Sequence, residues 1–213
     1  PSGPVANLAG LIITADGKRV EWIRDPANVL AYHIDVPAGA TEIVAEFQHL
    51  SPINTSQGRV TMTREMLNVQ WEKMLLYPAG YSSRNITLQP SLVIPEGWSL
   101  GTALETAAST TPASTTLAST SFKPVNLEEL IDSPVFAGKY YRLIDLDPNG
   151  RSPVRLNLVA DNADALKATD DQIAILRSLI QQADRLYGAR HYNHYDFLGA
   201  ATDRLGGIGL EHS

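Results

Sequence analysis

Cysteine is absent from the 213-residue sequence, which excludes a disulfide framework, a thiolate metal site and a cysteine nucleophile. That absence suits the cytoplasm and the periplasm equally. Positive charge is scarce too. The 17 Lys and Arg stand against 23 Asp and Glu, for a net charge of −6. With no basic cluster to offset this balance, a nucleic-acid groove is excluded. No apolar run approaches the roughly 20 residues of a membrane span. Gly-x-Ser-x-Gly occurs once, at Gly97–Gly101, but without a helical pattern after it, so the nucleophile elbow of a serine hydrolase is not expected. His-Glu-x-x-His, the helical spacing that sets two imidazoles on one face with a carboxylate as base, is missing. The sequence opens PSGPVANLAG, with neither an initiator Met nor a signal peptide, and closes GGIGLEHS, an apolar-glycine strand without a following partner. Both ends are expected to be cut.

What is present reads as a globular chain with a real core, 44% hydrophobic and 19% charged. Its length allows one large domain or two smaller ones. Up to about residue 165 it is mainly β. The runs GLIITADGKRVEWI, AYHIDV, TEIVAEFQHL, RNITLQPSLVI and KYYRLIDLD are bounded by Pro, Gly, Asp and Asn clusters. Asp16-Gly17 predicts a two-residue hairpin turn, and DPNG (Asp147–Gly150) predicts another, ahead of a strand with Val154, Leu156 and Leu158 on one face and Arg155 and Asn157 opposite. Strands at this spacing suggest a sandwich or a large open sheet. TREMLNVQWEKM and NLEELID are read as short helices, and the Ser/Thr-rich stretch Thr106–Thr120 as an exposed loop.

From Thr169 the pattern changes. Thr169 at N-cap and Gln172 at N3 form a capping box, and Asp170 and Asp171 occupy the first turn. Ile173, Leu176, Leu179, Ile180, Ala183, Leu186 and Tyr187 are read as one apolar face, and Gly188 supplies the stop. HYNHYDFLGA then reads as a strand, ATDRLGG as a turn and IGLEHS as the next strand. A β-rich domain (1–165) is thus followed by the opening of an α/β or α+β domain (166–213), with the junction near Asp161–Ala168.

Candidate chemistry is sparse. His191, His194 and His212 cluster late, but on a strand residues three apart point to opposite faces, so a metal bound by these residues alone is not expected. The glycines of GGIGLEH lack a Lys-Ser/Thr ending and precede a Glu that repels phosphate, so they are no phosphate loop. Trp22, Trp71 and Trp98 are read as core aromatics before sugar-stacking platforms. Glu211 follows glycines whose missing side chains let a ligand backbone approach the strand edge. A carboxylate there suits a substrate ammonium group, although most such residues simply face water.

GARHYNHYDFL followed by GGIGLEHS resembles the glycyl aminopeptidase family, bacterial zinc metallopeptidases that often carry a PDZ domain. PSGPVANLAGL, HIDVPAGA, LYPAGY, IPEGWSLGTAL and LEELIDSPVFAGKYYR resemble its N-terminal domain, in order. The resemblance implies a mainly β N-terminal domain, lacking its first strands here, and the truncated start of a thermolysin-like α+β catalytic domain. In the wider group, as in the leukotriene hydrolase type, a Gly-Ala-Met-Glu-Asn strand lines the cleft. Its Glu grips the substrate's α-amine. By that resemblance Gly209 stands at Ala, Leu210 at Met, Glu211 at Glu and His212 at Asn. Ile208 replaces the first Gly, with Gly206 and Gly207 just before it. The substrate-binding residues implied are Gly207, Gly209, Glu211 and His212, and the substrate is a peptide with a free N-terminus and a small first residue, Gly or Ala. The family's zinc ligands and general base are absent from these 213 residues, so the chain alone is expected to be inactive and to hold no zinc. The family inclines the compartment to periplasmic or secreted. The rival reading is a non-catalytic β-rich binding module of an envelope or secreted protein, with the Trp residues as contacts.

Overall fold

Asp16 and Gly17 form the expected two-residue turn. Both sit in the left-handed region (φ 45° and 76°), the backbone a type I′ hairpin needs. The turn joins β1 (Leu8–Ala15) to β2 (Lys18–Val20), with Ala15 opposite Lys18. The computed structural model describes residues 5–107, 111–112, 117–205 and 210–212, and divides into two compact units.

The first unit takes in the residues up to Ser51 together with Glu72–Ala79. Its sheet has the order β2-β1-β5, β5 being Ile43–His49, and β3 (Trp22–Arg24) pairs with β4 (Tyr32–Ile34). Leu11, Ile13, Ala15 and Val20 form its core, flanked by Trp22, Tyr32 and Phe47. The Trp22 indole N–H donates to the Leu11 carbonyl (3.1 Å), so its polar edge is satisfied internally.

The second unit holds the rest, and here two local expectations are corrected. Within TREMLNVQWEKM, residues Met66–Val69 are a strand, β6, followed by a 3-10 turn at Trp71–Lys73. Met66, Asn68 and Val69 are buried, and β6 pairs with β13 (Val135–Gly138). Tertiary burial overrides the helix propensity of Glu, Met and Leu. The Trp71 indole N–H donates to the Ser133 carbonyl (2.9 Å). The Ser/Thr-rich stretch likewise includes strand. After β7 (Thr87–Leu88), β8 (Ser91–Pro95) and β9 (Ser99–Gly101), the short β10 (Thr111–Pro112) and β11 (Leu117–Ser121) join a sheet of order β10-β11-β8. Thr120 is buried there, as suits a β-branched residue on a pleated, half-covered surface. β12 (Val125–Asn126) pairs with β7 and leads into α1 (Leu127–Ile131), the short helix expected in NLEELID, whose N-cap Asn126 accepts from the Glu129 amide.

Two sheets of this unit face each other. One has the order β6-β13-β9; the other has the order β14-β15-β16-β17, made of β14 (Tyr140–Asp145), β15 (Val154–Ala160), β16 (Tyr195–Ala201) and β17 (Leu210–His212). Met66, Phe136, Val159, Leu198 and Leu205 share the core between them. The opposite face of the second sheet is covered by α2 (Asp170–Tyr187), whose Ile173 and Ile180 pack with Ile144, Leu146 and Val154. The helix carries the full capping box at Thr169 and Gln172 and stops at Gly188 (φ 69°). Leu179, Leu186 and Tyr187 are exposed, so the apolar face is narrower than the periodicity predicts. Because α2 links two parallel strands, β15 and β16, residues 161–169 lie inside a β-α-β crossover rather than between separate cores. The helix packs on strands from both sides of the expected junction. The chain is mainly β, in several small sheets. Among the described residues no helix is long and apolar enough to cross a membrane.

Candidate functional site

Strand β16 begins at Tyr195, so His191–His194 are irregular backbone rather than the first half of a strand. Arg190 explains where the chain is held. Its guanidinium pairs with Asp184 at the end of α2 and with Asp147 in the DPNG turn (2.5 Å), and donates to the Ser152 carbonyl (2.9 Å). The Tyr195 amide then donates to Pro153 O (2.9 Å), and the strand starts. His191 and His194 both line a cleft of about 500 Å³ with Glu105, Lys123 and Tyr192. Freed from strand geometry, the two imidazoles do share a surface. Among the described residues, however, no three His, Asp or Glu side chains converge to hold a metal.

A buried polar network underlies β16. Asp196 is 1% exposed. It accepts from Arg155 Nη2 (2.6 Å) and Asn157 Nδ2 (3.0 Å), and His194 Nδ1 lies 2.9 Å away. Asn157 Oδ1 in turn accepts from the Tyr141 hydroxyl (2.7 Å). The residue pattern held a signal for this. Arg155 and Asn157 alternate on the polar face of β15, and the parallel register sets Arg155 beside Asp196. A polar strand face ordinarily meets water; here the facing sheet covers Asn157 and Asp196, while Arg155 stays 36% exposed.

Burial, reinforced by the Asp196 carboxylate and partly offset by Arg155, pushes the Tyr141 phenol up to about 12. The folded value lies above that of a free phenol, about 10. The stability it contributes is therefore complete below pH 10 and is lost as pH rises through about 12. A ¹³C-ζ tyrosine NMR titration should show the Tyr141 resonance, assigned with Tyr141→Phe, still unshifted at pH 10.5, a value about half a unit past the free phenol. A midpoint near 10 would mean that the phenol is solvated.

The next turn is anchored before the glycine-rich segment. Thr202 Oγ1 donates to Asp161 (2.6 Å), Arg204 Nη1 pairs with Glu65 (3.1 Å), and Leu205 is buried in the inter-sheet core. Of the residues implied by the resemblance, Gly207 and Gly209 lie outside the described residues. Glu211 and His212 belong to β17, where Glu211 stands opposite Phe197 and His212 opposite Asp196. β17 closes the sheet order, with β16 as its strand partner among the described residues. An extended peptide backbone can add to the last strand of a sheet.

No curated protein matches the chain. Solved structures do. An aminopeptidase N family protein from Idiomarina loihiensis matches 92% of this chain at 15% identity and a TM-score of 0.65, the match spanning 31% of that protein. Legionella pneumophila aminopeptidase A, solved with aspartic acid, matches 92% at 13% identity and a TM-score of 0.57, spanning 24% of its chain. At these identities the likeness is one of fold, and the chain spans less than a third of either protein. The sequence model of the peptidase M61 N-terminal domain matches residues 1–139 and so ends one residue before β14. Because that match takes in more than half of the sequence, the chain belongs to the peptidase M61 family.

Proposed function

We propose that this chain is the N-terminal domain and the start of the catalytic domain of a zinc-dependent aminopeptidase that releases Gly or Ala from peptides with a free N-terminus. β17 is its substrate strand. Family membership supports the peptidase class, and the place of β17 at the end of the sheet order among the described residues is the observation that supports the amine-binding role. We place the domain junction at residues 139–140, where the family match ends and β14 begins, in preference to residues 161–169.

In this reading the peptide adds to β17 as a further strand, its backbone amides and carbonyls pairing with those of β17. Glu211 takes the ammonium group by charge-assisted hydrogen bonds. That contact sets the register, because only the first residue of a peptide carries the charge. By the resemblance Gly207 and Gly209 belong to the same substrate strand, and His212 stands where the wider group has an amide side chain. Zinc, held by residues outside this sequence, would supply Lewis-acid polarisation of the scissile carbonyl.

The test is hydrolysis by the full-length protein. Glycyl- and alanyl-arylamides should be cleaved, phenylalanyl-arylamide at least tenfold less well, and chelation should abolish turnover until zinc is restored. Absence of cleavage with zinc present would favour the rival reading, a binding module.

A further inference from the structure

Strand β16 has an unusual problem of register. Both of its faces are covered, one by the facing sheet through Leu198, the other by α2 through Tyr195 and Phe197. Where one face is wet, hydrophobic alternation fixes which way a strand lies. Where both are buried, that pattern is nearly degenerate, and a slip of one residue exchanges the faces without exposing apolar surface. Something else has to choose.

Asp196 is the one charged side chain among the fully buried residues described. Its two β15 partners, Arg155 and Asn157, lie on a single face of that strand, and Arg155 is its direct register neighbour. A one-residue slip would carry the carboxylate away from Arg155 and Asn157 into the apolar cluster of Ile173 and Ile180, and would leave Arg155 and Asn157 against Phe197. Buried ionic pairs contribute little net stability, but selecting a register is their best-attested role. β17 hangs on β16 through the pairs Asp196–His212, Phe197–Glu211 and Leu198–Leu210. Any shift of β16 therefore moves Glu211 by about 3.3 Å per residue, while a misplacement of about 1 Å already costs on the order of a hundredfold in rate.

We infer that Asp196, with Arg155 and Asn157, is a positioning residue that fixes the register of β16 and so places Glu211 at the substrate edge. The functional half of this rests on the amine-binding reading above; the register half does not.

Two variants test it. Asp196→Asn removes the charge and keeps the shape, and the double variant Arg155→Leu/Asp196→Leu removes the pair without leaving either charge alone in the core. Hydrogen exchange on this chain should show the amides of Phe197, Leu198 and Leu210–His212 exchanging at least tenfold faster in both variants, with β14 amides unchanged. In the full-length enzyme the double variant should raise KM for a glycyl-arylamide about tenfold while kcat per active site falls less. Uniform acceleration across the whole sheet would reduce Asp196 to a general stability role and overturn the inference. So would parental exchange and parental KM in the double variant. Failure of the double variant to fold would also overturn it, since the pair would then be a requirement of the fold and not a choice of register. If β17 loosens selectively but Glu211→Gln leaves free and N-acetylated substrates in the parental ratio, the register role stands and the amine-binding reading falls.

Discussion

Glutamine in place of Glu211 should lower kcat/KM of the full-length enzyme for peptides with a free N-terminus by roughly ten- to a hundredfold. The partner proposed for the carboxylate is a substrate ammonium, and a charge-assisted hydrogen bond of that kind contributes about 1.5–3 kcal/mol. At a factor of ten for each 1.4 kcal/mol, that is the range stated. Glutamine keeps the shape and one oxygen, so the pairing of β17 with β16 has no reason to change, and the melting temperature should move by no more than a degree or two. N-acetylated peptides carry no ammonium. They should be poor substrates for the parent and lose little further in the variant, which narrows the ratio between the two classes. A variant that cleaves both in the parent's ratio would return Glu211 to the ordinary role of a solvated strand residue.

The parts of this fold that were legible in the sequence are those whose cause is local. Asp16-Gly17 demands a positive φ at both positions, and few contexts other than a tight hairpin accept that. Thr169, Gln172 and Gly188 mark the limits of α2 through backbone amides and carbonyls within a turn of themselves. Met66–Val69 misled for the opposite reason. Its helix-forming residues are strand because β13 lies beside them, from 66 residues further along the chain or more. The same holds for β11, whose Ser and Thr look like a linker until β8 is paired to them.

The candidate site divides along the same line. Glu211 is proposed only through resemblance, since an acidic residue on a glycine-rich strand most often simply faces water. Asp196 was not singled out at all, although the alternation that gives it away, Arg155 and Asn157 on one strand and Asp196 on another, is written in the sequence. Reading it needs two non-local facts. β15 and β16 have to be parallel neighbours in one register, and a second sheet has to cover their polar side. No window of neighbouring residues contains either.

The most severe single change to stability should be Gly101→Ala. Gly101 ends β9 in the sheet that faces β15, and it does not owe its place to an unusual backbone angle. It owes it to room. A methyl group there would lie 2.4 Å from Asn157 Cβ, 2.6 Å from its Cγ and 2.7 Å from Oδ1. The first of these atoms is fixed to the strand, so no rotation of the side chain relieves the contact. Overpacking of this kind costs about 1–3 kcal/mol. Asn157 must then shift, and it is only 3% exposed while serving both Tyr141 and Asp196. Stranding those buried groups adds about 1–3 kcal/mol, for a total near 4 kcal/mol. In a chain of this length about 2–4 °C accompanies each kcal/mol, so the midpoint should fall by roughly 10 °C. Gly199→Ala is the matched control. Its added methyl would come within 2.8 Å of Leu158 Cδ2, a contact at the far end of a flexible side chain that one rotamer change removes. That variant should lose less than about 1 kcal/mol, within the range of volume changes a core accommodates. Denaturant unfolding of the two variants side by side decides the matter: equal losses would mean that the sheets are free to part at Gly101, and that the Asn157–Asp196 network does not hold them at a fixed distance.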